Sequence, residues 1–578
     1  MTPGREPKHL TSRALVGYVA ITVVMTWPLV PRIGSEIAWD LGDPVFNAYV
    51  MRWTGGQVLA ALGGDFNALH QFWHGNIFSP ERLTIAYSEH LTPQMLQTLA
   101  IHAVTGNIVL CYNLLFLSTF VLSGFGTYLF VRDLTGRPFA AFVAGLAFAF
   151  APYRISQYSH LQVLSTYWMP LALYGLHRYF AARRVRALAG AAAALALQNL
   201  SCGYYLLFFP PFAAAYGLFE MIRRGLVRDR RTWISIAVAA IAVAAITWPF
   251  VAPYLELRRT ADVGVRTREE VEQFSADVYA FGTASHFSRL WGERIRAFPR
   301  GEGEGFPGFT ILALAIGGVI AGRVARSRGN RRTRAEAFFF AGAAAAAGLL
   351  ALGPIVHVAG RAIGGGPYDL LFDYLPGFDG VRVPARYLMI VTLCLAVLAG
   401  LGAAALTSRR AGPALVTVAG VMLLAESWVA PMWTNVRIAA PGYELTPREL
   451  AMGDGISPIY RWARDAPGTI VLIEFPFAEP AYDLLATFYA GEHRRPVVNG
   501  YSGFFPEAYL RRATFLRRIP EDLDAAAKAV RSSGATHAIV HEAAFPDGRG
   551  HELTDWLLGI GAQVVMTHGT DRLLALPR

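Results

Sequence analysis

The run Trp39-Asp40-Leu41-Gly42-Asp43-Pro44-Val45-Phe46-Asn47 places two carboxylates on either side of a Gly turn, directly before a Pro suited to the first turn of a helix. It follows the first long apolar stretch, so both acids fall at the edge of a bilayer. An ionised group there is costly to desolvate and therefore pairs, binds a cation or faces a wet cavity. Such a carboxylate can take a proton from a hydroxyl as general base. Asp43 is the first candidate for that role and Asp40 the second. The plainer alternative is that Asp40 closes the turn and Asp43 caps the helix.

Other chemistry-bearing residues fall in comparable places. Glu89 and His90 follow Tyr87-Ser88 before a second short helix. Together with Asp43 they offer oxygen and imidazole ligands to a divalent ion, Mg or Mn, while the alternative is a capping Ser88 with an exposed Glu89. His160, with Arg154 nearby, lies between two apolar runs and is read either as a substrate contact or as a hydrogen-bonded interface residue. Arg382 and Arg386 flank Pro384 where a span begins. Two guanidiniums at that depth suit a lipid phosphate, against snorkelling or an ion pair with Asp379. Tyr204 and Tyr205 are a sugar platform or part of an aromatic belt.

The elements that must position these groups are membrane helices. The chain has 578 residues, of which 54% are hydrophobic and only 16% charged, well below the quarter usual in soluble domains. Spanning a bilayer takes about 20 apolar residues, and on that template roughly eleven candidates appear. They lie near residues 14 to 31, 108 to 131, 138 to 153, 162 to 180, 187 to 200, 203 to 222, 232 to 253, 307 to 322, 336 to 356, 386 to 406 and 412 to 430. The net charge of +11 comes from Arg/Lys clusters in alternate loops: the N-terminal group with Arg5, then Arg132 and Arg137, Arg183 to Arg186, Arg223 to Arg231, Arg323 to Arg334, and Arg409 with Arg410. All fall on one side, which is then cytoplasmic. No basic stripe interleaved with aromatics points to nucleic acid. Cys111, Cys202 and Cys394 are far apart in apolar surroundings, so neither a disulfide framework nor a thiolate metal site is expected.

The expected fold is therefore a polytopic α-helical membrane protein of about eleven transmembrane helices, N-terminus in and C-terminus out. A transmembrane domain covers 1–431, with a first outer loop at 32–107. Residues 44 to 62 and 92 to 104 of that loop read as helices lying along the membrane surface, with Tyr49 and Trp53 at the interface. Beyond 431 the pattern changes. β-Rich runs at 469–475, 536–541 and 562–567 alternate with helical runs at 457–465, 506–517 and 521–533, which implies an extracytoplasmic α/β domain over 432–578. No phosphate-binding Gly-rich fingerprint opens a helix there.

The segment Gly42-Asp43-Pro44-Val45-Phe46-Asn47 resembles the first-loop acidic motif of the GT-C superfamily of membrane glycosyltransferases, and Asp43 with Tyr49 is loosely similar to its protein-mannosyltransferase-like branch. The Asp-Glu pair of that branch is Asp43-Pro44 here, and no WWD-type motif of oligosaccharyltransferases is found. Features such as Ala86-Tyr87-Ser88-Glu89-His90 and Leu375 to Arg386 look like those of a bacterial GT-C-like set. The resemblance implies an enzyme of the bacterial plasma membrane that moves a sugar from a polyprenyl-phosphate donor to a cell-envelope glycan, lipid or protein, with inversion, on the extracytoplasmic face. The competing classes are a transporter or flippase of lipid-linked precursors and a non-catalytic scaffold. A transporter is disfavoured by the lack of repeated halves and the scarcity of ionisable residues in mid-span.

Overall fold

The computed structural model describes residues 8–577 apart from 262, 325–330, 518 and 520–521. Arg5, Arg326 and Arg328 of the basic clusters lie outside the described residues. The chain divides into two compact units, one formed by Met1–Val30, Phe116–Phe250 and Val265–Met432, the other by Pro31–Leu115, Val251–Gly264 and Trp433–Arg578. The first outer stretch thus belongs with the C-terminal residues and not with the apolar helices that flank it.

The first unit is helical. Six described helices are long and apolar enough to cross a membrane: Ile108–Thr135, Pro138–Ile155, Gly203–Arg223, Arg230–Ala261, Arg334–Ala351 and Pro384–Leu406. Shorter apolar helices cover Leu10–Met25, Phe309–Val324 and Gly412–Glu426. Two further expected spans fold as Trp168–Ala182, of 15 residues, and Val185–Ser201, of 17. At 1.5 Å per residue the former reaches only about 23 Å, short of the roughly 30 Å hydrocarbon core. The expected eleven spans are thus not all matched by helices of spanning length and composition.

Helix Leu388–Leu406 is the hub of this unit and is buried along most of its length. It lies so close to Phe309–Val324 that a Cβ on Gly318 would sit 2.2 Å from the Leu398 carbonyl oxygen, and one on Gly402 would sit 2.0 Å from that of Leu314. Small residues permit this approach, the usual basis of helix association in lipid. Arg230–Ala261 is the opposite case. Its apolar window is only 11% buried, and Ile234, Val238, Ile241 and Trp248 are exposed, as lipid-facing residues are. A hairpin missed in the sequence, β1 (Ile355–Val358) with β2 (Arg361–Gly365), turns at Ala359-Gly360, whose amides donate to the Asp277 carboxylate at 3.1 and 2.8 Å.

The second unit holds a four-stranded sheet of β3 (Leu472–Phe475), β4 (His537–His541), β5 (Gln563–His568) and β6 (Asp571–Ala575), in the order β3-β4-β6-β5. β3 and β4 run parallel, while β6 is antiparallel to both its neighbours. The helices Pro458–Asp465, Glu507–Leu516 and Leu523–Ser532 fall in the runs read as helical. Pro480–His493 and Arg549–Gly559 are additional.

Helix Asp43–Leu62 packs against Pro480–His493 and Thr92–Thr105. This corrects the reading of Tyr49 as an interface residue. Tyr49 is fully buried and its hydroxyl donates to Asn76 Oδ1 at 3.0 Å, because this helix is a core element of its unit.

Candidate active site

The acidic turn is pinned by backbone pairing. The Trp39 amide donates to the Trp433 carbonyl at 3.0 Å and the Leu41 amide to that of Val436 at 2.8 Å. The Asn113 carboxamide oxygen accepts the Ala38 amide at 2.8 Å. Asp40 then closes the turn, its Oδ1 accepting the Gly42 amide at 2.9 Å. A Cβ on Gly42 would lie 2.9 Å from that same oxygen, so the close approach needs the glycine.

Asp43 behaves differently. Gly42 is the helix N-cap, no side chain caps the helix, and Asp43 is its first residue. A carboxylate at that position gains from the helix dipole. Asp43 remains partly exposed, and Oδ1 accepts the Tyr501 hydroxyl at 3.3 Å. Tyr112, whose hydroxyl is buried without a hydrogen-bond partner, lies within electrostatic reach of both Asp40 and Asp43. The plainer reading therefore holds for Asp40 as a turn-closing residue, but Asp43 does not cap.

In the helical unit a second group of polar residues gathers around Glu302, which the sequence reading missed. Arg386 donates from Nη2 to Glu302 Oε1 at 2.7 Å, Gln157 donates to Oε2 at 3.0 Å, and His160 Nε2 stands 4.0 Å from Oε1. The Arg386 guanidinium lies over the Tyr204 ring, 4.3 Å from its centroid. Burial alone would raise the Glu302 carboxyl. The charges of Arg386 and His160, with the hydrogen bonds from Arg386 and Gln157, outweigh it and hold the group at about 2. Glu302 adopts φ 60, a left-handed conformation that costs a non-glycine residue roughly 1 kcal/mol or more and persists where the surroundings over-determine it. Its only sequence signal is the alternation Gly301-Glu302-Gly303-Glu304-Gly305.

Arg382 does not share that carboxylate. Its guanidinium lies over Phe274 at 4.8 Å, and Arg266 is near both Arg382 and Tyr204. The Nε atoms of Arg382 and Arg386 are both buried without a hydrogen-bond partner. Orphaned guanidinium donors of this kind are rare in a finished interior and suit an incoming anion.

The structure thus brings His160, Arg386 and Tyr204 together, with Glu302 in place of the Asp379 considered as Arg386's partner. Arg154 and Tyr205 lie beside this group, with Tyr205 within electrostatic reach of both Arg386 and Arg154. Arg154 is fully buried and donates to Thr166 Oγ1 and the Leu164 carbonyl, both at 3.1 Å, with Phe120 and Phe148 beneath it. Its Nε, like those of Arg382 and Arg386, is buried without a hydrogen-bond partner. Tyr205 is likewise fully buried.

The ligand set Asp43, Glu89 and His90 is not among the described groups whose ligand atoms lie within metal-binding range of one another. His90 Nδ1 is 2.6 Å from Thr92 Oγ1 and accepts the Thr92 amide at 3.2 Å, while its ring packs on Trp73 and Tyr254. Burial pushes this imidazole down to about 3, so it is a neutral core residue. Among the described residues, the His/Cys/Asp/Glu cluster whose ligand atoms approach within metal-binding range is His177, Glu220 and Glu336. There Arg223 and Arg224 already donate to Glu220 at 2.6 and 2.5 Å.

The fold is similar to that of arabinofuranosyltransferase AftD from mycobacteria, with a TM-score of 0.53 and 15% identity, covering 100% of this chain and 42% of that one. The chain therefore spans less than half the length of this relative. Weaker likenesses are to ArnT from Cupriavidus metallidurans (TM-score 0.48, 14% identity, 98% of each chain) and to the oligosaccharyltransferase AglB from Archaeoglobus fulgidus (TM-score 0.46, 12% identity, 92% of this chain and 69% of that one). No curated protein matches it in sequence. Residues 75–425 match the family described as Domain of unknown function (DUF6311). The chain belongs to that family, and its fold is similar to that of the arabinofuranosyltransferase AftD.

Proposed function

We propose that this protein is a membrane glycosyltransferase with a polyprenyl-phosphate-linked sugar as donor and an envelope glycan, lipid or protein as acceptor. The observation that carries the reading is Asp43: a partly exposed carboxylate at the first position of a helix that it does not cap. In the proposed reaction the acceptor hydroxyl attacks the anomeric carbon and Asp43 takes its proton. The bond from that carbon to the phosphate oxygen breaks, and the polyprenyl phosphate leaves with the electron pair. Attack from the opposite side inverts the anomeric configuration.

A positioned carboxylate supplies about a hundred- to ten-thousandfold as general base. In the helical unit, taken by itself, Arg382 and Arg386 with their orphaned Nε donors are proposed as anion-binding groups beside His160 and Tyr204. The fold-level likeness to an arabinofuranosyltransferase supports the reaction class by analogy alone. The proposed setting is a bacterial plasma membrane with the N-terminus inside and residues 432–578 as an outer domain.

The reading is tested by complementing a deletion strain with Asp43→Ala and analysing the envelope glycans. Loss of a glycan at normal protein level is expected. A fully restored glycan would remove Asp43 from the reaction and favour the scaffold or flippase alternatives.

A further inference from the structure

A cavity of about 880 Å³ lies wholly within the second unit, lined by Glu36, Arg52, Asn107, Asn435, Arg448 and Glu449 among others. It is not the acidic turn. Nine residues separate Asp43 from Arg52 on one helix, which at 100° per residue puts them on opposite faces. Its walls are built: the Asn107 carboxamide donates to the Gly34 carbonyl at 2.8 Å and accepts the Leu110 amide at 2.8 Å. Asn435 accepts the Ile37 amide at 2.7 Å and donates to the Arg448 carbonyl at 2.8 Å. Arg52 is held by a two-pronged pair with Glu492, at 2.5 and 2.9 Å.

Arg448 is more available. Its side chain is 59% exposed and makes one hydrogen bond, to the Thr434 carbonyl at 3.3 Å, with Glu36 at 4.0 Å. Glu449 beside it is exposed. The lining therefore offers two guanidiniums, Arg52 and Arg448, two carboxylates, Glu36 and Glu449, and no aromatic ring, which suits a ligand bearing both a phosphate and an ammonium group and not a nucleotide base.

The surroundings identify its source. Thr105, Gly106 and Asn107 line the cavity and end one residue before the span Ile108–Thr135. They also finish helix Thr92–Thr105, whose exposed residues are mostly apolar, Leu96, Ala100, Ala103 and Val104 beside Gln97 and Thr105, with Val104 87% exposed. An exposed apolar stripe at helical spacing, leading directly into a spanning helix, is the pattern of a helix lying in the interfacial plane of a bilayer. The cavity at its C-terminal end is then at headgroup depth.

We propose that this cavity binds the headgroup of a zwitterionic membrane aminophospholipid, the phosphate on Arg448 and the ammonium on Glu449. The site is independent of Asp43 and of glycosyl transfer, so its test reads binding alone.

The experiment titrates the purified full chain in detergent with dihexanoyl-phosphatidylethanolamine, following thermal stability and native mass spectrometry. Inorganic phosphate and dihexanoyl-phosphatidylglycerol are titrated in parallel. Saturable binding of the ethanolamine lipid is expected, weakened roughly ten- to hundredfold by Arg448→Ala. Glu449→Gln is expected to abolish the preference over the glycerol lipid. Both substitutions are on the surface, and unchanged melting without lipid checks that they fold. Unaltered binding in Arg448→Ala would overturn the proposal. So would inorganic phosphate competing at the same concentration as the lipid, which would mark a free-anion site.

Discussion

Tyr501 donates its hydroxyl to Asp43 Oδ1 at 3.3 Å, whereas the Asp40 carboxylate accepts the Gly42 amide at 2.9 Å. One acid is oriented by a side chain and stays partly exposed; the other is consumed by its own turn. Two carboxylates that look interchangeable in sequence thus separate into a reactive candidate and a structural one.

Gly42→Ala tests the turn. Its Cβ would lie 2.9 Å from Asp40 Oδ1, so the Asp40–Gly42 bond must stretch or break. A stability loss of about 1 kcal/mol is expected from that bond. Thermal melts of Gly42→Ala and Asp40→Ala should fall together, and the double variant should lose little more than either alone.

The Glu302–Arg386 pair is tested by asymmetry. Both side chains are largely buried, at 11% and 3% exposure, and removing one partner strands the other charge. Arg386→Ala should cost about 3–5 kcal/mol, while replacing both residues by apolar ones of similar volume should recover most of that loss. Melting temperatures of the single and double variants in one detergent decide it.

Acid titration probes the same pair. The Glu302 carboxyl is lowered from 4.5 to about 2, so its contribution to stability is present above pH about 4.5 and is lost as pH falls through about 2. Wild-type melting should therefore decline across that window, and Glu302→Gln should flatten the decline.

In the C-terminal sheet, His541 donates toward Asp571 at 3.0 Å and Glu474 at 3.2 Å. Burial alone would lower this imidazole, but the hydrogen bonds and charges of the two carboxylates raise it to about 10. A raised histidine contributes stability that is complete below its ordinary value and is lost as pH rises through the folded one. The melting temperature should therefore decline as pH rises from about 6.5 to about 10, and Asp571→Asn should narrow that window from its upper end.

Much of the architecture was legible because lipid imposes a simple rule: long apolar runs become helices, as at Ile108–Thr135 and Gly203–Arg223. The same rule misleads where length falls short, as at Trp168–Ala182, whose run includes His177 and Arg178. β6 escaped notice because it starts with Asp571-Arg572 and has no apolar alternation.

The site was legible only in part. The turn chemistry of Asp40-Leu41-Gly42-Asp43 is local and could be read. Glu302 could not, since its partners Gln157 and Arg386 are 145 and 84 residues away and nothing local marks a carboxylate in a Gly-rich loop. His90 misled in the other direction: it is buried in the core of its unit against Trp73 and Tyr254, which its sequence neighbours do not reveal.

The most direct measurement is glycosyl transfer by the purified protein from a polyprenyl-phosphate sugar to an envelope-derived acceptor, comparing Asp43→Asn with Asp40→Ala. Asp43→Asn should lower turnover about a hundred- to ten-thousandfold without changing the melting temperature, and Asp40→Ala should cost stability with only a modest loss of turnover. Full turnover in Asp43→Asn would contradict the account.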